Sequence, residues 1–355
     1  MKPEKFMLCL SLLSLLLASC MPPASMPTSP PPVATLTVMT HDSFAVSEGV
    51  IADFEREHNV SVVFIKSGDT GSALNRAILS RESPMADVFY GVDNTFLSRA
   101  LSADIFEAYQ SPLLEKIPDE FKLDPDLRAL PVDYGDVCIN YDKAYFEEKS
   151  LAVPATLEDL IKPEYRGLLV VENPAISSPG LAFLMATISY FGVDGYLDYW
   201  RSLRENEVAV VNDWEAAYYI NFSGSSGRGP QPMVVSYSSS PAAEVYFASE
   251  PLTEAPTASI LGAGTCFRQV EFIGILKGTQ NRALAEKFVD FMLDWRFQED
   301  MPLQMFVYPV NSEARLPEEF IYYAQPAVEP ARLSPEDMAA HREEWIQAWD
   351  EIVLR

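Results

Sequence analysis

Val234-Val235-Ser236-Tyr237-Ser238-Ser239-Ser240-Pro241-Ala242-Ala243 begins as a buried strand and ends as the opening of a helix. The two valines are apolar and β-branched, which suits a strand covered on both faces. An aromatic residue, three serines and a proline follow, and then a helix-forming run to Phe247. Proline fits the first turn of a helix because the amide it lacks would be unpaired there. Ser240 is therefore the expected N-cap, with hydroxyls and free backbone amides gathered at a helix N-terminus. Such a junction either only caps a helix or holds a carboxylate, a phosphate or another small polar group. Its recurrence elsewhere in the chain favours the second role.

Working outward, Leu36–Thr40 reads as a strand closed by His41-Asp42-Ser43, with Ser43 as a candidate cap for a helix reaching His58. Val60–Lys66 is the next strand, and Ser67-Gly68-Asp69-Thr70-Gly71 opens a helix carrying Ala73, Leu74, Ala77 and Ile78. Ala86–Val92 follows, closed by Asp93-Asn94. Three strand–turn–helix units in succession predict an α/β fold with a mostly parallel sheet. Each polar turn falls at the carboxyl end of a strand, where open α/β sheets bind ligands. The second half repeats the pattern. Leu168–Val171 leads through Ser177-Ser178 to a helix starting at Pro179, and Asn212-Asp213 caps a helix carrying Trp214, Tyr218 and Tyr219. Leu130–Tyr141, with a bend at Gly135, and Phe267–Leu276 read as strands crossing between two halves, and Phe306–Val310 as a short strand. Ser334-Pro335 caps a terminal amphipathic helix to Val353, with Glu336 and Asp337 in its first turn.

The chain has 355 residues, 48% of them hydrophobic, enough for two domains with a large core. Its start reads differently. Lys2 and Lys5 precede the apolar run Phe6–Leu17, which has the length and flanks of a secretory signal. The signal ends Leu17-Ala18-Ser19-Cys20, similar to the lipobox of bacterial lipoproteins, which makes Cys20 the candidate lipidation site. Met21–Ala34 holds six prolines among Ser, Thr and Ala, the composition of an extended tether. With 51 acidic against 26 basic residues the net charge is −25, which excludes nucleic acid as a partner. The same charge favours capture of cationic solutes and solubility alike. Cys138 and Cys266 remain after the signal and lipid cysteines. Both a disulfide and two buried thiols are open to them.

From about Leu36 onward the chain resembles the thiamine-binding proteins of bacterial ABC importers. The resemblance rests on the order and spacing of Thr40-His41-Asp42-Ser43-Phe44, Gly91-Val92-Asp93-Asn94, Pro131-Val132-Asp133-Tyr134-Gly135 and Ser177-Ser178-Pro179-Gly180-Leu181. It continues with Asp213-Trp214-Glu215-Ala216-Ala217-Tyr218, Ser236–Ala242, Gln269-Val270-Glu271, Tyr308-Pro309-Val310 and the terminal helix. It implies a two-lobed periplasmic-binding-protein fold whose lobes, each a mostly parallel sheet flanked by helices, are joined by crossing strands. The expected division is a signal at 1–19, a tether at 20–34, one lobe at 35–133 with 268–310, a second at 134–267, and a helical tail at 311–355 packed back on the lobes. It implies a monomeric receptor, lipid-anchored at the outer face of the cytoplasmic membrane, that passes thiamine or a thiamine phosphate to an ABC permease without any cofactor.

The ligand positions that the resemblance implies are Asp69, Thr70, Asp93 and Asn94 from one lobe, and Ser177, Ser178, Trp214, Tyr237, Ser238, Ser239 and Ser240 from the other. Phe306, just before Tyr308-Pro309-Val310, joins them. The residue types suit thiamine. Trp214 and Tyr237 offer faces to the thiazolium cation, at about 0.5–2 kcal/mol each. Asp42, Asp69 or Asp93 complements its charge, and the serines bond a hydroxyethyl arm or a phosphate. This chain departs from the family pattern at His41, Ala243 and Phe306, where aromatic residues, Trp in the last case, are usual. The alternatives are a ferric-iron receptor, in which Tyr218-Tyr219 would supply phenolates, a polyamine receptor, and an extracellular hydrolase using His41. The hydrolase has little support, since the chain has three histidines and neither a Gly-x-Ser-x-Gly elbow nor a His-Glu-x-x-His helix.

Overall fold

Residues 33–225 and 229–355 are described in the structure, which is a computed structural model. The expected signal, Cys20, nearly all of the tether and positions 226–228 of the glycine-rich loop fall outside the described residues. Ala34–Arg355 forms one compact unit.

The strands, in chain order, are β1 (Ala34–Thr40), β2 (Val60–Lys66), β3 (Val88–Asp93), β4 (Phe106–Glu107), β5 (Leu130–Asp142) and β6 (Leu169–Glu172). They continue with β7 (Ala209–Val211), β8 (Met233–Tyr237), β9 (Thr257–Ile260), β10 (Phe267–Leu276) and β11 (Tyr308–Pro309). The main path of the sheet runs β2-β1-β3-β10-β5-β8-β6-β7. β1 is parallel to β2 and β3, and β6 is parallel to β7 and β8. Between these groups β10 and β5 run antiparallel to each other and to their outer neighbours. The two long strands therefore join two parallel half-sheets. β5 pairs with β10 along its first part, from Leu130 to Val137, and with β8 from Val137 to Tyr141. A Cβ at Gly135, just before the partner changes at Val137, would meet the Tyr237 ring at 2.6 Å, so this close approach needs glycine.

The expected elements are present, with shifted ends. The first helix covers Glu48–His58 and is preceded by Ser47 rather than Ser43. Asp300 takes both the amide and the hydroxyl of Ser47, at 2.7 and 2.6 Å, which anchors the chain there and leaves His41–Val46 irregular. Helix Ser240–Tyr246 has Ser239, not Ser240, at its N-cap position, and the Ser239 hydroxyl donates to the Phe306 carbonyl instead of capping. β11 is shorter than Phe306–Val310 since Phe306 has φ +57° and cannot extend it. Tyr218 and Tyr219 lie in a π-helical turn, Ala216–Asn221, after Asp213.

Helix Ser178–Phe191 is buried from Ser178 to Ile188, as expected for a helix clamped between a sheet and other helices. Among the described residues no single helix is long and apolar enough to cross a membrane. Helix Pro335–Val353, capped by the Ser334 hydroxyl, buries Trp345 and Trp349, and Trp349 meets Trp200 edge-on at 5.5 Å. Cys138 of β5 and Cys266, just before β10, form a disulfide closing a sequence separation of 128 residues.

Candidate functional site

A cleft of about 310 Å³ opens among the carboxyl ends of β1 and β2, the start of helix Ser178–Phe191, the Trp214 turn and the segment before β11. Its volume lies in the range of small-molecule sites. Asp42 sits at its edge because the ends of β1 and β2 are laced together. Asp42 Oδ1 accepts from the Gly68 amide at 2.8 Å, its own amide donates to the Gly68 carbonyl at 3.0 Å, and Lys66 Nζ donates to its carbonyl at 2.7 Å. Gly68 has φ +91°, so glycine is favoured at this tight exchange.

The next wall is built by buried acids. Asp69 caps helix Thr70–Leu79, accepting from the Thr70 amide at 2.8 Å, and burial pushes its carboxyl up to about 6. The hydrogen bond from the Thr70 amide opposes that rise, and the Asp213 charge adds to it. Glu271 of β10 stands in register with Asp93 of β3 on one side and Asp133 of β5 on the other. Three carboxyls from distant parts of the chain thus lie side by side across the middle of the sheet. The Tyr90 hydroxyl donates to Asp133 Oδ2 at 2.6 Å, with Glu271 Oε2 3.2 Å away. Burial raises all three carboxyls, and for Glu271 the charges of Asp133 and Asp93 raise it further. Like charges in a low-dielectric interior favour the protonated form, and a cation arriving beside them reverses that preference.

His41 lies over this row, with Nε2 3.5 Å from Glu271 Oε1. Burial, then the Lys66 charge, lowers it to about 4, so the ring is neutral at physiological pH. It packs on Gly91, which has φ +106° and where a Cβ would come within 2.4 Å of the imidazole. The opposite wall is aromatic. Trp214 stacks on Tyr218 at 5.0 Å and meets Tyr219 edge-on, while its indole N–H donates to the Ser236 hydroxyl at 2.9 Å. Tyr237 accepts from Gln269 Nε2 at 3.1 Å, and Phe306 meets Phe247 edge-on at 5.7 Å.

Of the residues singled out from the sequence, Asp42, Asp69, Thr70, Ser178, Trp214, Tyr237 and Phe306 line this cleft. The others do not. Asp93 is fully buried, accepting from Ser178 and from the hydroxyl and amide of Thr95. Asn94 is engaged by the main chain of Arg268 and Val270, both at 3.1 Å, which locks β3 to β10. Ser177 is buried at the N-cap of helix Ser178–Phe191. Ser238 faces a separate cavity with Lys143 and Tyr322, Ser239 holds Phe306, and Ser240 bonds Ser236 at 2.9 Å. The serine cluster is therefore mostly spent on structure.

Sequence reading passed over Glu271, Glu215 and Phe247 as site residues and offered Tyr219 only as a phenolate of the iron alternative; all four line the cleft. Of the three passed over, only Glu271 carried a signal, as the lone acid in the apolar run Val270–Leu276. The paired tyrosines do not act together. Tyr218 is buried with its hydroxyl donating to Glu244 at 2.7 Å, and only Tyr219 reaches the cleft. Among the described residues no group of three or more His, Cys, Asp and Glu side chains is placed to hold a metal ion.

Comparison with known proteins agrees with this architecture. Residues 83–330 match the family described as bacterial extracellular solute-binding protein. The chain is 30% identical over 325 residues to the thiamine-binding periplasmic protein of Salmonella typhimurium (strain LT2), covering 90% of this chain and 94% of that one. It is 30% identical over 348 residues to the thiamine-binding periplasmic protein of Escherichia coli (strain K12), covering 96% and 100%. A solved periplasmic thiamin binding protein superposes with a TM-score of 0.79 at 26% identity, over 90% of this chain and 96% of that one. The fold is thus the two-lobed one of periplasmic binding proteins, and the chain belongs to the bacterial extracellular solute-binding protein family.

Proposed function

We propose that this protein is the receptor of an ABC importer and binds thiamine in the cleft described above. The carrying observation is the row of Asp93, Glu271 and Asp133 under a pocket faced by Trp214 and Tyr237. A fixed organic cation with flat rings matches both features. It gains from the aromatic faces and from carboxyls that its charge returns to the ionised form. The relatives named thiamine-binding periplasmic proteins support the same ligand. On this reading residues 35–133 with 268–310 form one lobe, 134–267 the other, and 311–355 the tail. Ligand contacts from both lobes shift the population toward a closed form that the permease recognises.

Residues 1–19 act as the export signal, Cys20 carries the lipid, and residues 20–34 hold a monomeric receptor off the outer face of the cytoplasmic membrane. The disulfide between Cys138 and Cys266 fits an oxidising compartment outside the cytoplasm. The test is calorimetric titration of the purified full chain, freed of bound ligand by unfolding and refolding, with thiamine, spermidine and ferric citrate. Tight one-to-one binding of thiamine alone is expected. A refolded protein with a native circular dichroism spectrum and no heat with thiamine would sink the reading.

A further inference from the structure

We infer that Ser239 is a positioning residue for ligand binding: its hydroxyl fixes the backbone turn at Phe306 and so holds the Phe306 ring in the wall of the cleft. The inference rests on the reading of this cleft as the thiamine site, and adds to it a residue that does not itself line the cleft.

A serine just before a helix ordinarily turns its hydroxyl back to accept from an amide of the first turn. Ser239 stands at that position before helix Ser240–Tyr246, and its side chain makes no capping bond. The hydroxyl, fully buried, donates instead to the Phe306 carbonyl, 67 residues further along the chain. A local cap is given up for a distant contact. That contact falls on a strained residue. Phe306 has φ +57°, an outlier for a bulky side chain, and such a conformation persists only where the surroundings hold it. Among the described residues it is the only aromatic with positive φ, and the only non-glycine residue of that kind lining the cleft. Released from the turn, Phe306 would relax to negative φ, and its carbonyl and ring would swing together.

The ring that the turn directs is nearly buried and lines the cleft. It meets Phe247 edge-on at 5.7 Å, and Phe247 ends the helix that Ser239 precedes. The one short helix thus grips Phe306 twice, by its carbonyl at one end and by its ring at the other. The preceding residue is tied as well, since Met305 Sδ accepts from the Ala45 amide at 3.0 Å. The next serine serves the same wall. Ser240 bonds Ser236 at 2.9 Å, and Ser236 accepts from the Trp214 indole N–H. A flat cation gains from aromatic faces held at fixed angles, whereas a ring free to swing has to be ordered on binding, which lowers affinity.

The experiment takes two readouts from the refolded full chain. Without ligand, hydrogen exchange read by mass spectrometry should be about fivefold or more faster over residues 304–308 in Ser239→Ala than in wild type. Unchanged exchange there overturns the inference, whatever the cleft binds. Titrated with thiamine, Ser239→Ala should bind about fivefold more weakly, the scale of one hydrogen bond. Ser239→Thr keeps the hydroxyl and should recover most of that loss. If the threonine variant does not fold, a double-mutant cycle decides: with the ring removed by Phe306→Ala, adding Ser239→Ala should change affinity by less than about twofold. An equal loss with and without the ring, or wild-type affinity in folded Ser239→Ala, overturns the positioning role and leaves the thiamine reading intact. No heat with thiamine in wild type, together with faster exchange in Ser239→Ala, overturns the thiamine reading and leaves the held wall standing.

Discussion

The Gly71 amide donates to the Ile176 carbonyl at 3.0 Å, and a Cβ on Gly71 would lie 2.9 Å from Ile176 Cα. Main chain meets main chain here, between a helix that follows β2 and the turn that follows β6. Asp93 and Ser178 bond across the same seam. Gly71→Val has no room for its side chain without separating the two segments. It is expected to weaken thiamine binding by about tenfold or more, because ligand affinity is diluted by the fraction of molecules able to close. Titration alongside a thermal melt checks this. Unchanged affinity in a folded variant would show that the contact is not needed for closure.

Trp214 combines a ring facing the cleft with an N–H committed to Ser236. Trp214→Ala removes the cation–π face and is expected to weaken thiamine binding at least about tenfold while the protein stays folded. Trp214→Phe keeps a face and loses the hydrogen bond, so it should recover part of the affinity. Equal binding by wild type and the alanine variant would take Trp214 out of the site.

Asp69 gives the binding a pH dependence. Its pKa is raised to about 6, so a falling pH protonates it and removes a charge that favours a cation. Thiamine affinity should therefore drop as pH is lowered through about 6. His41 titrates at about 4 and lies below that window. Asp69→Asn should bind more weakly at neutral pH and lose part of the slope between about pH 7.5 and 5.5, while Asp133, raised by burial to about 7, keeps the rest. A slope that survives in full in the variant would assign it to another carboxyl.

Glu172, fully buried at the end of β6, has neither carboxyl oxygen hydrogen-bonded. Burial raises its pKa well above 4.5, and the charges of Asp69 and Asp213 add to the rise. Below the unfolded-state value both states are protonated and the residue is neutral to stability. As pH rises past it, the unfolded chain releases a proton that the folded one retains, so the contribution to stability falls. Glu172→Gln removes that loss. Its melting temperature should match wild type near pH 4.5 and exceed it at pH 8 by about 2–4 °C or more. An equal offset at both values would mean that packing, not charge, is responsible.

Much of the site was legible because ligand groups in open α/β sheets gather where strands end. Asp42, Asp69, Thr70, Ser178, Trp214 and Tyr237 each lie at or near a polar turn after a strand, and the family resemblance together with residue chemistry singled them out among such turns. The rule cannot say which hydroxyl in a run points into the cleft. Ser238, Ser239 and Ser240 share one composition and take three different directions within one turn. Phe247 had no signal of its own, since it follows a helix like many surface aromatics do.

By itself the sequence determined the alternation of strands and helices, the two crossing strands and the turns at which a ligand would be met. These follow from local periodicity and capping, which act over a few residues. Only the tertiary structure decided that Asp93, Asp133 and Glu271 share one row, that His41 stands over them, and that the serines are turned inward. Register between strands more than a hundred residues apart comes from the packing of the whole sheet. A carboxyl's charge and a hydroxyl's freedom come from the neighbours that packing supplies.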